Sequence, residues 1–93
     1  MPRFRIAHLR EQGQDMIIVP LESQFGNQPD GTQHAIIGEL QAHARGAGLA
    51  GRIVAVWESG GRMHFIAPQP WHSFFQSLSM PGILRNINKE LSW

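Results

Sequence analysis

Cysteine is absent from this 93-residue chain. Neither a disulfide nor a thiolate metal ligand is therefore available, and stability must come from core packing or from a partner subunit. Tyrosine is absent too, and Lys89 is the only lysine, which thins the inventory for covalent catalysis. Asp15 and Asp30 fall in an expected turn and an expected loop. No Gly-x-Ser-x-Gly elbow or phosphate-cradling glycine loop occurs. "GAGLAG" (46–51) follows an expected helix instead of opening one, so it reads as a helix end and a turn. The inventory speaks against an enzyme, with one built around the histidines as the last of three readings, and no cofactor is expected.

An excess of one charge is lacking as well. Eight basic residues face seven acidic ones, for a net charge of +1. Bulk charge thus lends nucleic-acid binding little support. No apolar run reaches the length of a membrane span. The start, "MPRFRIAHLR", alternates where a signal peptide would have a continuous apolar core, so no membrane association and a cytoplasmic location are expected.

What the chain does contain is alternation, twice. With an offset of 47 residues, "RIAHLREQGQDMIIV" (5–19) falls on "RIVAVWESGGRMHFI" (52–66), matching Arg5, Ile6, Glu11, Gly13 and Met16 to Arg52, Ile53, Glu58, Gly60 and Met63. The same offset aligns "TQHAIIGELQAHA" (32–44) with "SMPGILRNINKEL" (79–91). Ile36, Ile37, Leu40 and Ala44 then meet Ile83, Leu84, Ile87 and Leu91, a helical stripe in both segments. Thr32 meets Ser79, each a candidate N-cap.

These alignments predict an α+β fold. One domain over 1–93, with pseudo-repeats 3–48 and 50–93, has the order ββαββα from an internal ββα duplication. The expected architecture is a two-layer sandwich, with a four-stranded, mainly antiparallel sheet packed on two helices.

Glycine at 60 and 61 suits a two-residue hairpin turn, which pairs Trp57 with His64 and Val56 with Phe65. The corresponding register in the first hairpin pairs Arg10 with Ile17 and Leu9 with Ile18. Parity then puts Ala7, Leu9, Met16, Ile18, Val54, Val56, Met63 and Phe65 on one face, expected to lie under the helices. The other face carries Ile6, His8, Arg10, Ile17, Val19, Ile53, Ala55, Trp57, His64 and Ile66. It is too apolar to stand in water and too polar for a sealed core. A folded-back segment, a second subunit or a ligand is expected to cover it.

The candidate binding and interface residues cluster around that second face. Trp57 and His64 can form a stacking platform for a planar ligand, or an ordinary aromatic contact at the edge of the core. Trp71, His72, Phe74 and Phe75 follow the Pro68–Pro70 bracket that stops the fourth strand; the aromatic bulk suits a core plug, an interface anchor or the wall of a ligand pocket, in that order. Arg10 and Arg62 would add cationic contacts for single-stranded nucleic acid. His8, His64 and His72 have no spacing that enforces a shared metal, so no metal site is expected. Glu39 and His43, one helical turn apart, read as a surface pair.

The leading functional reading is a small interaction module forming a homo-oligomer, a dimer, through the second face or the 68–78 segment. The alternative is a binder of a planar ligand or single-stranded nucleic acid on the sheet face; a protein partner is a further reading for the interaction module.

Overall fold

The computed structural model describes residues 3–92. It is an α+β fold with strands β1 (Arg3–Glu11), β2 (Gln14–Pro20), β3 (Arg52–Ser59), β4 (Arg62–Ile66) and β5 (Lys89–Ser92). Helix α1 (Asp30–Gly46) joins β2 to β3, and α2 (His72–Gln76) and α3 (Met80–Arg85) lie between β4 and β5. The sheet has five strands in the order β4-β3-β2-β1-β5. Every neighbouring pair is antiparallel except β2 and β3, which run parallel. The expected four-stranded, mainly antiparallel sheet is thus corrected to a mixed one. α1 provides the crossover that a parallel pair requires.

The helices do not share one face, which corrects the two-layer arrangement. Ala7, Met16, Ile18, Val54 and Val56 pack with Phe75, Met80 and Ile83 from α2 and α3. Ile6, Ile17, Val19, Ile53 and Leu91 pack on the opposite side with Leu40 and Ala44 of α1. The grouping of strand residues by parity therefore holds, including Leu9 beside Val56 on one side. The conclusion drawn from it does not, because the second face is covered within the chain. α1 reaches it through half of the predicted stripe, with Leu40 and Ala44 buried and Ile36 and Ile37 packed at its margin.

The 47-residue duplication is not confirmed. The two hairpin turns, Gln12-Gly13 and Gly60-Gly61, stand one residue further apart than that offset. Turn-equivalent positions in the two hairpins consequently lie on opposite faces, since a one-residue shift inverts side-chain direction. The helix following each hairpin accordingly packs on the opposite side of the sheet. The second hairpin has the expected register, Trp57 opposite His64 and Val56 opposite Phe65. The first does not: Leu9 faces Met16 and Arg10 faces Asp15. Gly13 takes the second turn position, with Gln12 before it at φ 51°, so the pairing moves by two residues and leaves the faces unchanged.

Of the two aligned caps, Ser79 is real, its Oγ accepting from the Gly82 N–H at 3.3 Å. Thr32 is not a cap; α1 starts earlier, after Pro29, and its last turn is closed by the Leu49 N–H donating to the Ala44 carbonyl at 2.9 Å. The expected loop around Asp30, "ESQFGNQPDG" (22–31), contains a 3-10 turn, Ser23–Asn27, whose Phe25 is buried, and its last two residues open α1. The second stripe does not continue as helix to Leu91. α3 ends at Arg85, and Leu91 enters the core from β5, opposite Phe4.

Asn88 explains that change of structure. Its amide accepts from the His8 N–H and donates to the His8 carbonyl, both at 2.9 Å. Its own N–H donates to the Ile6 carbonyl at 3.1 Å. One side chain thus extends the β5–β1 ladder by a step, and a chain held this way along β1 cannot remain helical. Gln41 does similar work at the start of β3, donating to the Gly51 carbonyl at 3.0 Å and accepting from the Ile53 N–H at 2.9 Å. Among the described residues, no helix is long and apolar enough to cross a membrane.

Candidate ligand-binding cleft

Trp57 and His64 meet as their register requires, with ring centroids 5.8 Å apart and planes at 17°. Phe25 meets the same indole on edge, its centroid 5.1 Å away. A side chain at position 26 would collide with the indole nitrogen, so Gly26 lets the 3-10 turn close over it. Trp57 is consequently only 8 % exposed. His64 occupies one side of the stack and reaches back to the Ser59 carbonyl at 3.3 Å.

The other sequence-derived candidates are not gathered around this pair. Trp71, Phe74 and Phe75 lie on the opposite face, where Phe75 is fully buried and the other two pack against its cluster. Phe75 stands 5.6 Å from Phe65 and 5.2 Å from Phe74, ring centre to ring centre. The segment is a plug, but on the Val56 side of the sheet. His72 Nε2 is 2.9 Å from the Ala67 carbonyl, and His8 Nε2 is 2.7 Å from that of Ala50. The three histidines therefore make separate backbone contacts. Among the described residues, no group of three or more histidine or carboxylate side chains is placed to hold a metal ion.

Arg62 stands on β4, beside His64. Arg10, opposite Asp15 near the first turn, lies three strands away and at the other end of the sheet. At about 4.8 Å per strand step, the lateral separation alone is about 14 Å.

A different place is open. At the end of the sheet where β1 begins and β2 ends lies a cleft of about 810 Å³. β1 supplies Arg3, Phe4 and Arg5, and the β2–α1 connection supplies Leu21, Glu22 and Phe25. α1 lines it with Ile36, Glu39 and Leu40, α3 with Leu84, and the turn after α3 with Ile87. Its volume falls in the range of small-molecule sites, and it opens at the C-terminal end of β2, one of the two parallel strands. A shallower hollow of about 500 Å³ shares Leu21, Glu22 and Leu84 and continues towards Met80.

The surface chemistry of this cleft is mixed in an orderly way. Leu84, 50 % exposed, is the large hydrophobic residue left in solvent among those described. Phe4, Leu21, Ile36 and Ile87 are half-buried beside it. Arg3 pairs with Glu90 at 3.5 Å, both side chains well exposed. Arg5, opposite Glu90 in the β1–β5 register, makes no ion pair among the described residues. Glu22 and Glu39 stand on the side built by the loop and α1.

None of these residues forms a local motif, because they come from four separate stretches of chain. One signal was present: Ile83 and Leu84 are adjacent on a six-residue helix. A helix lying on a sheet turns only one of two such neighbours inward, and Ile83 is the buried one. In comparison with known proteins, no family model matches the chain, and neither a curated protein nor a solved structure matches it.

Proposed function

We propose that the protein is a small binding module whose ligand is an organic molecule with an apolar body and a single acidic group, held in the cleft between β1, α1 and α3. The observation that carries this reading is the exposure of Leu84 in a cleft that is also lined by Arg5, an arginine without an ion pair among the described residues. Covering Leu84, Ile87, Phe4 and Leu21 would remove apolar surface from water at about 25 cal/mol per Å². Arg5 would receive the acid through a charge-assisted hydrogen bond. Glu22 and Glu39 would repel a second acidic group, which favours monoacids over diacids.

Titration calorimetry with decanoate, and fluorescence with anilinonaphthalene sulfonate as an aromatic counterpart, test the proposal. Leu84→Asp is expected to abolish binding of both. Arg5→Glu should weaken it by about tenfold or more, the worth of one charge-assisted contact. Arg10→Glu, at the far end of the sheet, should leave it unchanged. Binding that survives Leu84→Asp, or that responds equally to Arg10→Glu, would place the site elsewhere.

A further inference from the structure

The sheet ends on two strands of different character. β5 is four residues long and carries Lys89 and Glu90, the short, charged form in which exposed edges avoid other strands. β4, five residues long, is less defended. It contains no proline, its one charged residue is Arg62 at the start, and β3 is its sheet neighbour on one side only. The two-residue turn closed by Ser59 and Arg62 sets which backbone groups face β3. The pairs at 62, 64 and 66 exchange hydrogen bonds inward, so the N–H and C=O groups of Met63 and Phe65 point to the free side. No backbone hydrogen bond from outside the hairpin reaches either residue. The side chains of Met63 and Phe65 are half-buried at the margin of the Val56 cluster. His64 is drawn back over Trp57 and Ser59, away from the free side.

We infer that β4 pairs antiparallel with β4 of a second copy of this chain, about a twofold axis through His64, so that the two sheets become one. The two outward-facing residues are placed symmetrically about position 64. One register therefore pairs Met63 with Phe65 of the second copy, and Phe65 with its Met63, satisfying every free amide of the strand. Those pairs also close the half-buried side chains against each other, joining the two Val56 clusters into a continuous core. Arg62 lies opposite Ile66, so no like charges meet. An edge that complements itself in register, faces and charge fits a second copy better than an unrelated strand, and symmetric pairing is the commonest form of self-association. The inference is independent of the cleft, which lies on the β1 side of the sheet.

In this register His64 faces its own copy across a pair without direct hydrogen bonds, where Cα atoms stand about 4.5 Å apart. That spacing admits a disulfide, and the chain has no other cysteine to confuse the result. His64→Cys in the full chain should therefore give a disulfide-linked dimer under mild oxidation much faster than Arg10→Cys. Light scattering of the unmodified protein should show mass rising with concentration from one copy to two. Met63→Pro removes an outward N–H without breaking the β3–β4 ladder. It should leave the chain monomeric at concentrations where the unmodified chain is dimeric, with the circular dichroism spectrum retained. His64→Arg, which sets like charges opposite each other, should weaken association by about tenfold, while a urea titration of the same variant reads any loss from the Trp57 stack separately. A single-copy mass at all concentrations, equal cross-linking at positions 64 and 10, or a dimer indifferent to both Met63→Pro and His64→Arg would each overturn the inference.

Discussion

Gln12 holds φ at 51°, the left-handed region that side chains with a Cβ occupy at a cost. It is the first of two turn residues, followed by Gly13 at φ 77°. The second hairpin meets the same demand with Gly60 and Gly61. Asparagine tolerates this conformation better than glutamine, and Asn-Gly is the favoured pair for such a turn. Gln12→Asn should therefore stabilise the protein by about 0.5–1 kcal/mol, within the cost of the left-handed state. A urea midpoint that stays or falls would show that the turn is not a source of strain. Gly51 is the stricter case. Its φ is 121°, and a Cβ there would stand 2.8 Å from the Asp15 carbonyl carbon and oxygen, where β3 starts beside β2. "GAGLAG" thus carries a structural need for glycine at its end as well as at the helix cap.

At the scale of elements, two amides determine where strands begin. Gln41 ties α1 to the start of β3, and Asn88 ties the approach to β5 to His8. β5 is only four residues long and carries one buried side chain, Leu91. The Asn88 contacts are therefore a large share of what holds it on β1. Asn88→Ala should cost about 1 kcal/mol, the net worth of an ordinary hydrogen bond. The loss should be local, read as about fivefold faster amide exchange in β5. Exchange in β2 and β3, the central strands, should not change. An equal rise across the whole sheet would mean that β5 opens only with the rest of the molecule.

Across the whole molecule, helices on both faces divide the core into two layers that share one sheet. Phe75 and Ile18 belong to one layer, Leu40 and Ile17 to the other. Because Ile17 and Ile18 are neighbours on β2, neither layer can loosen without disturbing the strand that serves both. Phe75→Ala and Leu40→Ala should each destabilise the protein by about 2–5 kcal/mol, a large part of the total stability of a small domain. Each variant should still unfold in a single transition that both aromatic fluorescence and far-ultraviolet dichroism report at the same denaturant concentration. Two separated transitions would show that the layers fold independently.

The amino-acid sequence by itself determined the things that depend on near neighbours. Alternation in 5–19 and 52–66 assigned each strand residue to its side of the sheet, and the Gly60-Gly61 pair set the register that brings Trp57 to His64. The stripe of Ile36, Ile37, Leu40 and Ala44 marked α1, and Ser79 before Pro81 marked the start of α3. Tertiary structure alone decided which helix covers which face, that β2 and β3 run side by side in parallel, and that the chain end becomes a fifth strand. It also decided the cleft, whose walls come from β1, the loop after β2, α1 and α3. The physical reason is separation along the chain. Side-chain periodicity reports which residues share a surface, but not what that surface will meet. The contact that settles the fate of the C-terminal segment, Asn88 with His8, spans 80 residues, and no local pattern in either stretch encodes the other.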